Sequence, residues 1–523
     1  MRRIWRNLFS WHGLLVSGWV LVALSGCTTP GDRAERSIDI PMREEWASPA
    51  DAGVPISSDW WKHLADEQLV LLVEEALAYN MDLRVAGARL LAAEAATRVE
   101  GAASFPNAQL SLTGDRSKRS FLGFPAIGAG GGNPTSRSTI YGLGLSTSWE
   151  VDLWSRLANR EKAADQDALA VWADYAYARV SLAAAVLQAW FSLVEAEQQV
   201  ELAEQTKETW EENDTLVKRR YEQGLRPALD ARLVTVDLER ARAEAVRLTR
   251  LRADAARVLE LLLGRYPSGE LDVVGDLPEP VEPVPSGLPS ALIARRADLF
   301  AAERRLAATE SRVDAAREDF YPKLVLTGDV GTSSESLSDL LDGDFGIWRL
   351  LGSLVQPVFE GGRLQANLEG AEAQTGVQLA TFASQVLEAL AEVEGALNDE
   401  QHFAEEFVLR SRVAEEARSA SELARRRYSE GLAEVTTMLD AQRNAYVADS
   451  ALLTLRRLRL GARIRLHLAL GGGFDAEQAP RSAALARQRV LVTERNDRVD
   501  VGPHVEANVE VLSEKSEDDE SGG

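Results

Sequence analysis

The sequence predicts a mainly α-helical chain of two structural repeats, in which β-strands contribute to a transmembrane β-barrel. The first observation is an internal repeat: RRYEQGL at 219–225 recurs as RRYSEGL at 426–432, 207 positions later. The second is a stretch from Trp154 to Glu222 without proline or glycine, which favours one very long helix. The third is an alternation of apolar and polar residues at 108–113 and 141–149, ahead of the first long helix.

Residues 1–26 have the features of a secretory signal peptide, because a basic start precedes a short apolar run and small residues. The ending, Leu24-Ser25-Gly26-Cys27, resembles the bacterial lipoprotein box, which implies cleavage before Cys27 and a covalent lipid on it. The alternative is an uncleaved membrane anchor with a free thiol, although the apolar run is short for a spanning helix. Residues 27–59 are polar and contain four prolines, which predicts an extended, lipidated tether.

The first repeat is predicted at 60–264. Helical spacing of apolar residues begins at Leu69, is interrupted at Asn80 and continues to about Ala103. Strands follow at about 107–118 and 138–151, where apolar and small polar residues alternate. Alternation alone also fits a half-buried hairpin of a soluble protein, so this alternative stays open.

The proline- and glycine-free stretch predicts a helix on the order of 100 Å long. A hairpin tip at 221–230 joins it to a shorter return helix, because a single glycine permits a tight reversal. The same plan returns at 291–473 after a proline-rich connector at 265–290. There we predict strands at about 322–332 and 345–358 and a tip at 428–437. Residues 474–523 are polar and acidic, which predicts a disordered tail.

Composition excludes several classes of function. The net charge is −23, which disfavours nucleic acid as a partner because phosphate binding needs clustered lysine and arginine. The single cysteine excludes a disulfide framework and a multi-cysteine metal site. The histidines lie far apart and no catalytic motif occurs, so we expect no catalytic residue, no metal and no cofactor beyond the lipid on Cys27.

Four strands cannot close a barrel, and an open sheet edge is not tolerated in hydrocarbon. Strands from several chains must therefore combine. Two chains would supply eight strands and three would supply twelve, and both numbers are allowed.

Taken together, the duplicated tips, the strand pairs set between long helices and the lipoprotein box resemble the TolC-like outer membrane factor family. The NodT-type lipoprotein branch of efflux systems is the most similar. The resemblance covers about Trp60 to Gly472 and includes three further stretches. They are Trp60-Trp61 with the helix from Leu69 to Leu91, Gly287-Leu288-Pro289-Ser290 with Arg295-Arg296-Ala297-Asp298, and Ala301-Ala302-Glu303-Arg304-Arg305. It implies a homotrimer with a twelve-stranded outer-membrane barrel and a periplasmic α-barrel of long helical hairpins. It also implies a lipid-anchored chain that works with a periplasmic membrane-fusion adaptor and an inner-membrane pump.

The resemblance also assigns roles to residues at the tips. The adaptor-contact residues would be Tyr221, Gly224, Leu225, Tyr428, Gly431 and Leu432. Acidic residues nine and twelve positions after the tip tyrosine would line a periplasmic aperture, and here these are Asp230 and Asp440. Both could instead be ordinary acids at helix N-termini, where the helix dipole favours them. At the position of the family's gate arginine, two residues after the second tip glycine, this chain has Ala433.

The function implied is export of small molecules, such as drugs, toxic compounds or metal ions, across the outer membrane. A channel for type I protein secretion is the nearest alternative. A lipid-tethered periplasmic coiled-coil scaffold without a pore is an alternative of another class, but it leaves the alternating strands unexplained.

Overall fold

The computed structural model describes residues 60–63, 67–120, 135–273, 275–279 and 289–474, with isolated positions 38, 43, 45–47, 287, 476 and 480. The predicted signal peptide at 1–26 and the lipidation site Cys27 lie outside these residues. So do most of the predicted tether at 27–59 and nearly all of the predicted tail at 474–523. The chain divides into two compact units, and each is described by itself below.

The described residues form four strands and eight α-helices. The strands are β1 Asn107–Ser120, β2 Thr135–Val151, β3 Lys323–Ser334 and β4 Gly346–Val355. The helices are α1 Glu67–Tyr79, α2 Met81–Ala102, α3 Arg156–Glu222, α4 Ala228–Leu262, α5 Leu292–Arg295, α6 Ala297–Glu318, α7 Arg363–Ser429 and α8 Val435–Ala469. The long helices α3 and α7 have 67 residues each, and the return helices α4 and α8 have 35 each, so the two halves match in length.

The first unit contains the four strands, which form one antiparallel sheet in the order β1-β2-β3-β4. The register places Leu110, Leu145, Val330 and Trp348 side by side on one face. All four side chains are exposed in the chain by itself. The opposite face carries mostly small and polar residues on the first three strands, among them Ser111 and Gly144, while β4 adds Ile347 and Leu351. One exposed apolar face and one polar face suit a strand that separates lipid from water.

Two hydrogen bonds connect the sheet to the residues that follow the preceding helices. Both lie at the end of the sheet away from the loops that join β1 to β2 and β3 to β4. The Trp149 indole Nε1 donates to the Ser104 carbonyl at 3.0 Å. In the second half, the Gln356 amide donates to the Phe320 carbonyl at 2.8 Å. These bonds join corresponding positions of the two repeats, because Ser104 and Phe320 each lie two residues beyond the end of α2 or α6.

The second unit contains most of the long helices and a large apolar core, whose fully buried side chains include Trp60, Leu187, Leu193 and Leu259. Here Asn80, between α1 and α2, caps two helices at once. Its Oδ1 accepts from the Leu83 amide at 3.0 Å, and its Nδ2 donates to the Leu262 carbonyl of α4 at 3.0 Å. The interruption predicted at Asn80 is therefore a joint at which α2 begins on the end of α4.

Arg296 occupies the corresponding joint of the second repeat. Its Nη1 donates to the Ala469 carbonyl at the end of α8, at 3.1 Å. The guanidinium also binds the carboxylates of Asp298 at 2.7 Å and Glu392 at 2.6 Å. Only 4% of Arg296 is exposed, so two carboxylates are needed to offset the loss of its water.

A polar seam, which we define as Glu195, Gln199 and Asn213 of α3 with their α8 partners, runs between these two helices. Asn213 donates to Gln442 at 2.8 Å, and Gln199 donates to the Ser450 carbonyl at 2.9 Å. The partners of Glu195 are the Thr454 hydroxyl at 2.9 Å and the Arg457 guanidinium at 3.1 Å. Each member has a specific partner, so the seam fixes α3 against α8 in one register.

The elements lie close to their predicted positions, with differences at the strand ends. Strands β1 and β3 run two residues beyond the predicted ends, and β2 begins three residues early. Strand β4 ends at Val355, before the predicted end at 358, because Pro357 has no N–H to donate to a ladder.

We expect alanine substitutions at two repeated glycines to differ in cost. Gly224 at a tip has φ +71° and open space around a new Cβ, so Gly224→Ala should cost about 1–2 kcal/mol of backbone strain. A Cβ at Gly471 would lie 2.0 Å from the Arg295 carbonyl oxygen, so Gly471→Ala should lower stability at least twice as much. Thermal unfolding followed by circular dichroism measures both. Equal losses would mean that the contact with Arg295 yields easily.

Candidate functional site

The two hairpin tips of the second unit share one backbone geometry. At the first tip, the Leu225 amide donates to the Arg220 carbonyl at 2.9 Å, and the Gly224 amide donates to the Tyr221 carbonyl at 2.8 Å. At the second tip, Leu432 and Gly431 make the same two bonds, at 2.8 and 3.1 Å. This pair of bonds is the Schellman motif, which needs a left-handed residue. The two glycines supply it, with φ values of +71° and +78°.

The side chains of the two tips differ although their sequences are alike. Tyr221 is 46% exposed, and the leucines that follow each glycine, Leu225 and Leu432, are 67% and 68% exposed. Tyr428 is fully buried. Within the single chain the Tyr428 ring is therefore not part of an exposed surface, and its role as an adaptor contact stays a prediction. The ring is covered by the other hairpin of the same chain.

Two arginines of the first hairpin hold Tyr428. The guanidinium carbons of Arg220 and Arg226 lie 4.8 and 5.3 Å from the centre of its ring. Arg220 also donates to the Tyr428 carbonyl at 2.9 Å and to the Ser429 carbonyl at 2.8 Å. A guanidinium over an aromatic ring contributes about 0.5–2 kcal/mol, and bonds from a charged donor add to it. We call this set of contacts the tip clamp.

An apolar cluster supports the tip clamp from within the helices. Tyr428 of α7 shares a cluster with residues of the other three helices at the tips, namely Trp210, Val217, Val234, Leu238, Val435, Met438 and Leu439. The Tyr428 hydroxyl is buried and finds no hydrogen-bond partner among the described residues. The ring and its two arginines, not the hydroxyl, therefore connect the tips.

The two predicted aperture acids occupy unlike positions. Asp230 lies in the first turn of α4 and is half-buried. Asp440 lies one turn further along α8, is exposed and binds the Arg443 guanidinium at 2.6 Å. Its charge is therefore partly balanced by a residue of its own helix. No described residue forms an ion pair with Asp230. The negative charge of Asp440 is therefore partly neutralised by a neighbouring cation, whereas that of Asp230 is not.

A cavity of about 240 Å³ lies behind the tips, between α3, α4 and α8. Trp210 and two alanines line one side, and the rest is charged or hydroxylated: Thr206, Asp237, Arg240, Glu244, Arg443 and Tyr446. Burial and the nearby Glu244 carboxylate raise the pKa of the Tyr446 hydroxyl. A hydrogen bond from Arg247 lowers the pKa of Glu244 itself, so both groups hold one protonation state around neutral pH.

Sequence reasoning missed Arg220 and Arg226 as functional residues. The signal was present, because each tip motif begins with two arginines and Arg226 directly follows the first motif. Which arginine would meet which tyrosine depends on how the hairpins pack, and that information is not local. As for metal ions, the described part of the chain contains no group of three or more histidine, cysteine or carboxylate side chains able to hold one.

Comparison with known proteins agrees with this architecture. A family model described as "Outer membrane efflux protein" matches residues 72–265 and 288–472, which are the two repeats. Outer membrane protein OprJ of Pseudomonas aeruginosa is 34% identical over 441 residues, which cover 83% of this chain and 91% of OprJ. The toluene efflux pump outer membrane protein TtgF of Pseudomonas putida is 31% identical over 468 residues, 87% of this chain and 95% of TtgF.

Solved structures have the same fold. The outer-membrane channel OprN superposes with a TM-score of 0.76 at 30% identity, over 85% of this chain and 98% of that one. The Campylobacter jejuni CmeC channel gives 0.79 at 21% identity over 90% and 98%, which is evidence for the fold alone. The predicted resemblance is confirmed, as is the predicted mainly α fold with two repeats and four barrel strands.

We expect Arg220→Ala to loosen the tip clamp, because it removes one cation–π contact and two hydrogen bonds to carbonyls of the second tip. Hydrogen–deuterium exchange of residues 426–434 should rise by about tenfold or more. Arg219→Ala is the matched control, since Arg219 is exposed and takes no part in the clamp. Tyr428→Phe should leave exchange unchanged. Equal exchange in the Arg220 and Arg219 variants would contradict the clamp.

Proposed function

Because this chain belongs to the outer membrane efflux protein family, we propose that three copies form a channel whose periplasmic entrance is made by the two hairpin tips. Its place in the outer membrane and its role in efflux follow from the family and from its relatives. The observation that supports a trimer is the four-stranded sheet. It has an exposed apolar face, and its edge strands β1 and β4 have no further strand beside them in the single chain. Three such sheets give twelve strands, an allowed closed barrel.

The purified protein should therefore contain three chains and conduct ions in a planar bilayer. Paired cysteines, one on β1 and one on β4, should crosslink different chains, because these strands are the edges of each sheet. A monomer without conductance would instead favour the pore-free scaffold. Cys27 is the single cysteine of the sequence, so a Cys27→Ser background contains only the two introduced thiols.

We propose that the channel exports small molecules delivered by an inner-membrane pump and a periplasmic adaptor. Relatives with this architecture are named for unlike cargo: toluene for TtgF, cations for CusC and pyoverdine for OpmQ. A channel that suits such different molecules is expected to leave selection to the pump. Type I protein secretion remains the second candidate. Growth of a deletion strain with solvents, drugs or metal salts would separate small-molecule export from secretion.

The adaptor would bind the exposed residues of the tips. Leu225 and Leu432 are large apolar side chains in water, which marks them as contacts for a partner. We expect the double variant Leu225→Asp with Leu432→Asp to lose export while trimers still reach the outer membrane. Leu71→Asp is the control, because Leu71 is as exposed but lies in α1, away from the tips. Full resistance of the tip variant at normal protein level would rule out this surface.

We further propose that Asp230 and Asp440 make a negative constriction when three copies meet at one axis. Rings of carboxylates favour cations. Asp230→Asn with Asp440→Asn should reduce cation preference in reversal potentials, and Arg443→Gln should increase it by freeing Asp440. The effect should shrink as the Debye length falls from about 10 Å at 0.1 M salt to about 3 Å at 1 M. Unchanged reversal potentials in both variants would mean that the acids only begin helices.

Lipidation of Cys27 is the last part of the proposal, and the sequence of the leader supports it. Cys27→Ser should leave unprocessed precursor, which mass spectrometry detects as a larger chain without acyl groups. Barrel insertion should persist, because the apolar face of the strands is independent of the lipid. An identical mass for the two mature proteins, apart from the substitution, would contradict lipidation.

A further inference from the structure

Three cationic side chains lie together at the loop end of β1 and β2. They are Arg116 and Lys118 of β1 and Arg137 of β2, and all three are exposed. The register places Lys118 directly opposite Arg137, and Arg116 lies one step along the same face. Like charges directly opposite each other destabilise a strand pair. The arrangement therefore needs an explanation, because nothing about pairing these two strands favours it.

These cations are on the lipid-facing side of the sheet. Side chains two apart in a strand share a face, so Arg116 and Lys118 continue the line of Leu110 and Leu112. Arg137 continues the corresponding line of β2. The neighbouring Arg119 lies on the other face, opposite Ser136. A charged side chain on the lipid face destabilises the barrel near the middle of the bilayer and much less at the interface. The position of these cations along the strand therefore determines whether they contact hydrocarbon or lipid headgroups.

Their height corresponds to the outer boundary of the membrane. A transmembrane strand needs about 9–11 residues to cross the hydrocarbon. Counted from the exposed Phe105, just before β1, that length ends near Asp115. Tyr141 lies opposite Gly114 at this level, where aromatic rings commonly mark the interface. Arg116, Lys118 and Arg137 follow immediately, at the level of lipid headgroups.

No described acidic residue pairs with these cations. None of the three forms an ion pair or a side-chain hydrogen bond within the described part of the chain, and residues 121–134, which connect the strands, contain no Asp or Glu. The β3–β4 pair is built differently. There Arg349 lies opposite Asp329 and donates to its carboxylate at 2.8 and 3.0 Å. That pair lies on the other face of the sheet, in line with Ser146, so it supplies no counter-charge to the three cations.

We propose that Arg116, Lys118 and Arg137 form a binding site for phosphate groups on the headgroups of outer-leaflet lipid. Such a lipid supplies the missing negative charge at the right height, with its acyl chains against Leu110 and Leu112. Arginine and lysine bind phosphate through short, charge-assisted hydrogen bonds. The site would brace the β1–β2 hairpin only when the barrel is in its own membrane. This inference rests on the outer-membrane location and is independent of which molecules are exported.

The first test measures binding of purified lipopolysaccharide to the detergent-solubilised trimer. The triple variant Arg116→Gln, Lys118→Gln, Arg137→Gln should bind about 10- to 100-fold more weakly than wild type. Arg119→Gln, one residue away on the other face, should bind like wild type. Lipopolysaccharide stripped of its phosphates should bind wild type as weakly as intact lipid binds the triple variant. Equal binding of the stripped and intact lipids would overturn the proposal.

The second test uses one substitution that repairs the strand pair. Arg137→Glu places a carboxylate opposite Lys118, so it should raise the melting temperature of the trimer in lipid-free detergent. Lipopolysaccharide should raise the melting temperature of wild type, and this increment should vanish in Arg137→Glu. Inorganic phosphate alone should reproduce little of the increment, because it lacks acyl chains.

One contrary outcome has a specific structural meaning. If the three cations instead pair with acidic residues of a neighbouring copy, such as Asp342 or Asp344 of its β3–β4 loop, the triple variant would weaken the trimer. Asp342→Asn with Asp344→Asn would then weaken it equally, and lipid binding would be unchanged in both. That result would replace the lipid site by a contact between chains. Conductance of the same samples reports separately on the channel.

Discussion

Each return helix ends where a shorter helix of its own repeat begins, α2 for α4 and α6 for α8, and one side chain at that junction satisfies its last carbonyl. Asn80 donates to Leu262, and Arg296 donates to Ala469. The last carbonyls of a helix have no partner within it, and a buried carbonyl without a partner costs about 1–3 kcal/mol. The return helices α4 and α8 have about half the length of α3 and α7. Each return helix therefore covers only about half of its long partner, and the shorter helix that begins at the junction, α2 or α6, covers the remaining length.

The two repeats conserve this hydrogen bond while changing the residue that makes it. Asparagine is neutral and caps a helix as well, whereas arginine brings a charge that must be balanced. Burial alone would lower the pKa of Arg296, but the carboxylates of Asp298 and Glu392 outweigh it and raise the pKa above its usual range. Trp149 and Gln356 are a second example, since both donate to a carbonyl two residues beyond the end of a preceding helix. Duplication thus preserved the acceptor and let the donor diverge.

Much of this architecture could be predicted because its signals are local. Glycine at a reversal, proline at a strand end and period-two alternation each act within a few residues, and they placed the tips and the strands. The fate of the tip tyrosines could not be predicted in this way. Tyr221 and Tyr428 stand in nearly identical heptapeptides, yet one is exposed and the other is enclosed by Arg220 and Arg226. The difference arises from the packing of one hairpin on the other, which a single sequence window does not contain. The lipid at Cys27 stays a prediction because it depends on processing of the chain. The constriction at Asp230 and Asp440 stays a prediction because it depends on neighbouring chains.

The polar seam between α3 and α8 limits how the hairpins can move. Its members, Glu195, Gln199 and Asn213, each bind a particular partner, spread over about five turns of helix. Sliding α8 along α3 by one turn would break every one of these bonds together and leave buried polar groups unpaired. Rotation about a point within the seam changes the distances near that point very little, while it displaces the distant tips the most. The hairpins should therefore rotate about the seam as rigid helices. A small rotation there would displace Leu225 and Leu432, at the distant tips, by a much larger distance.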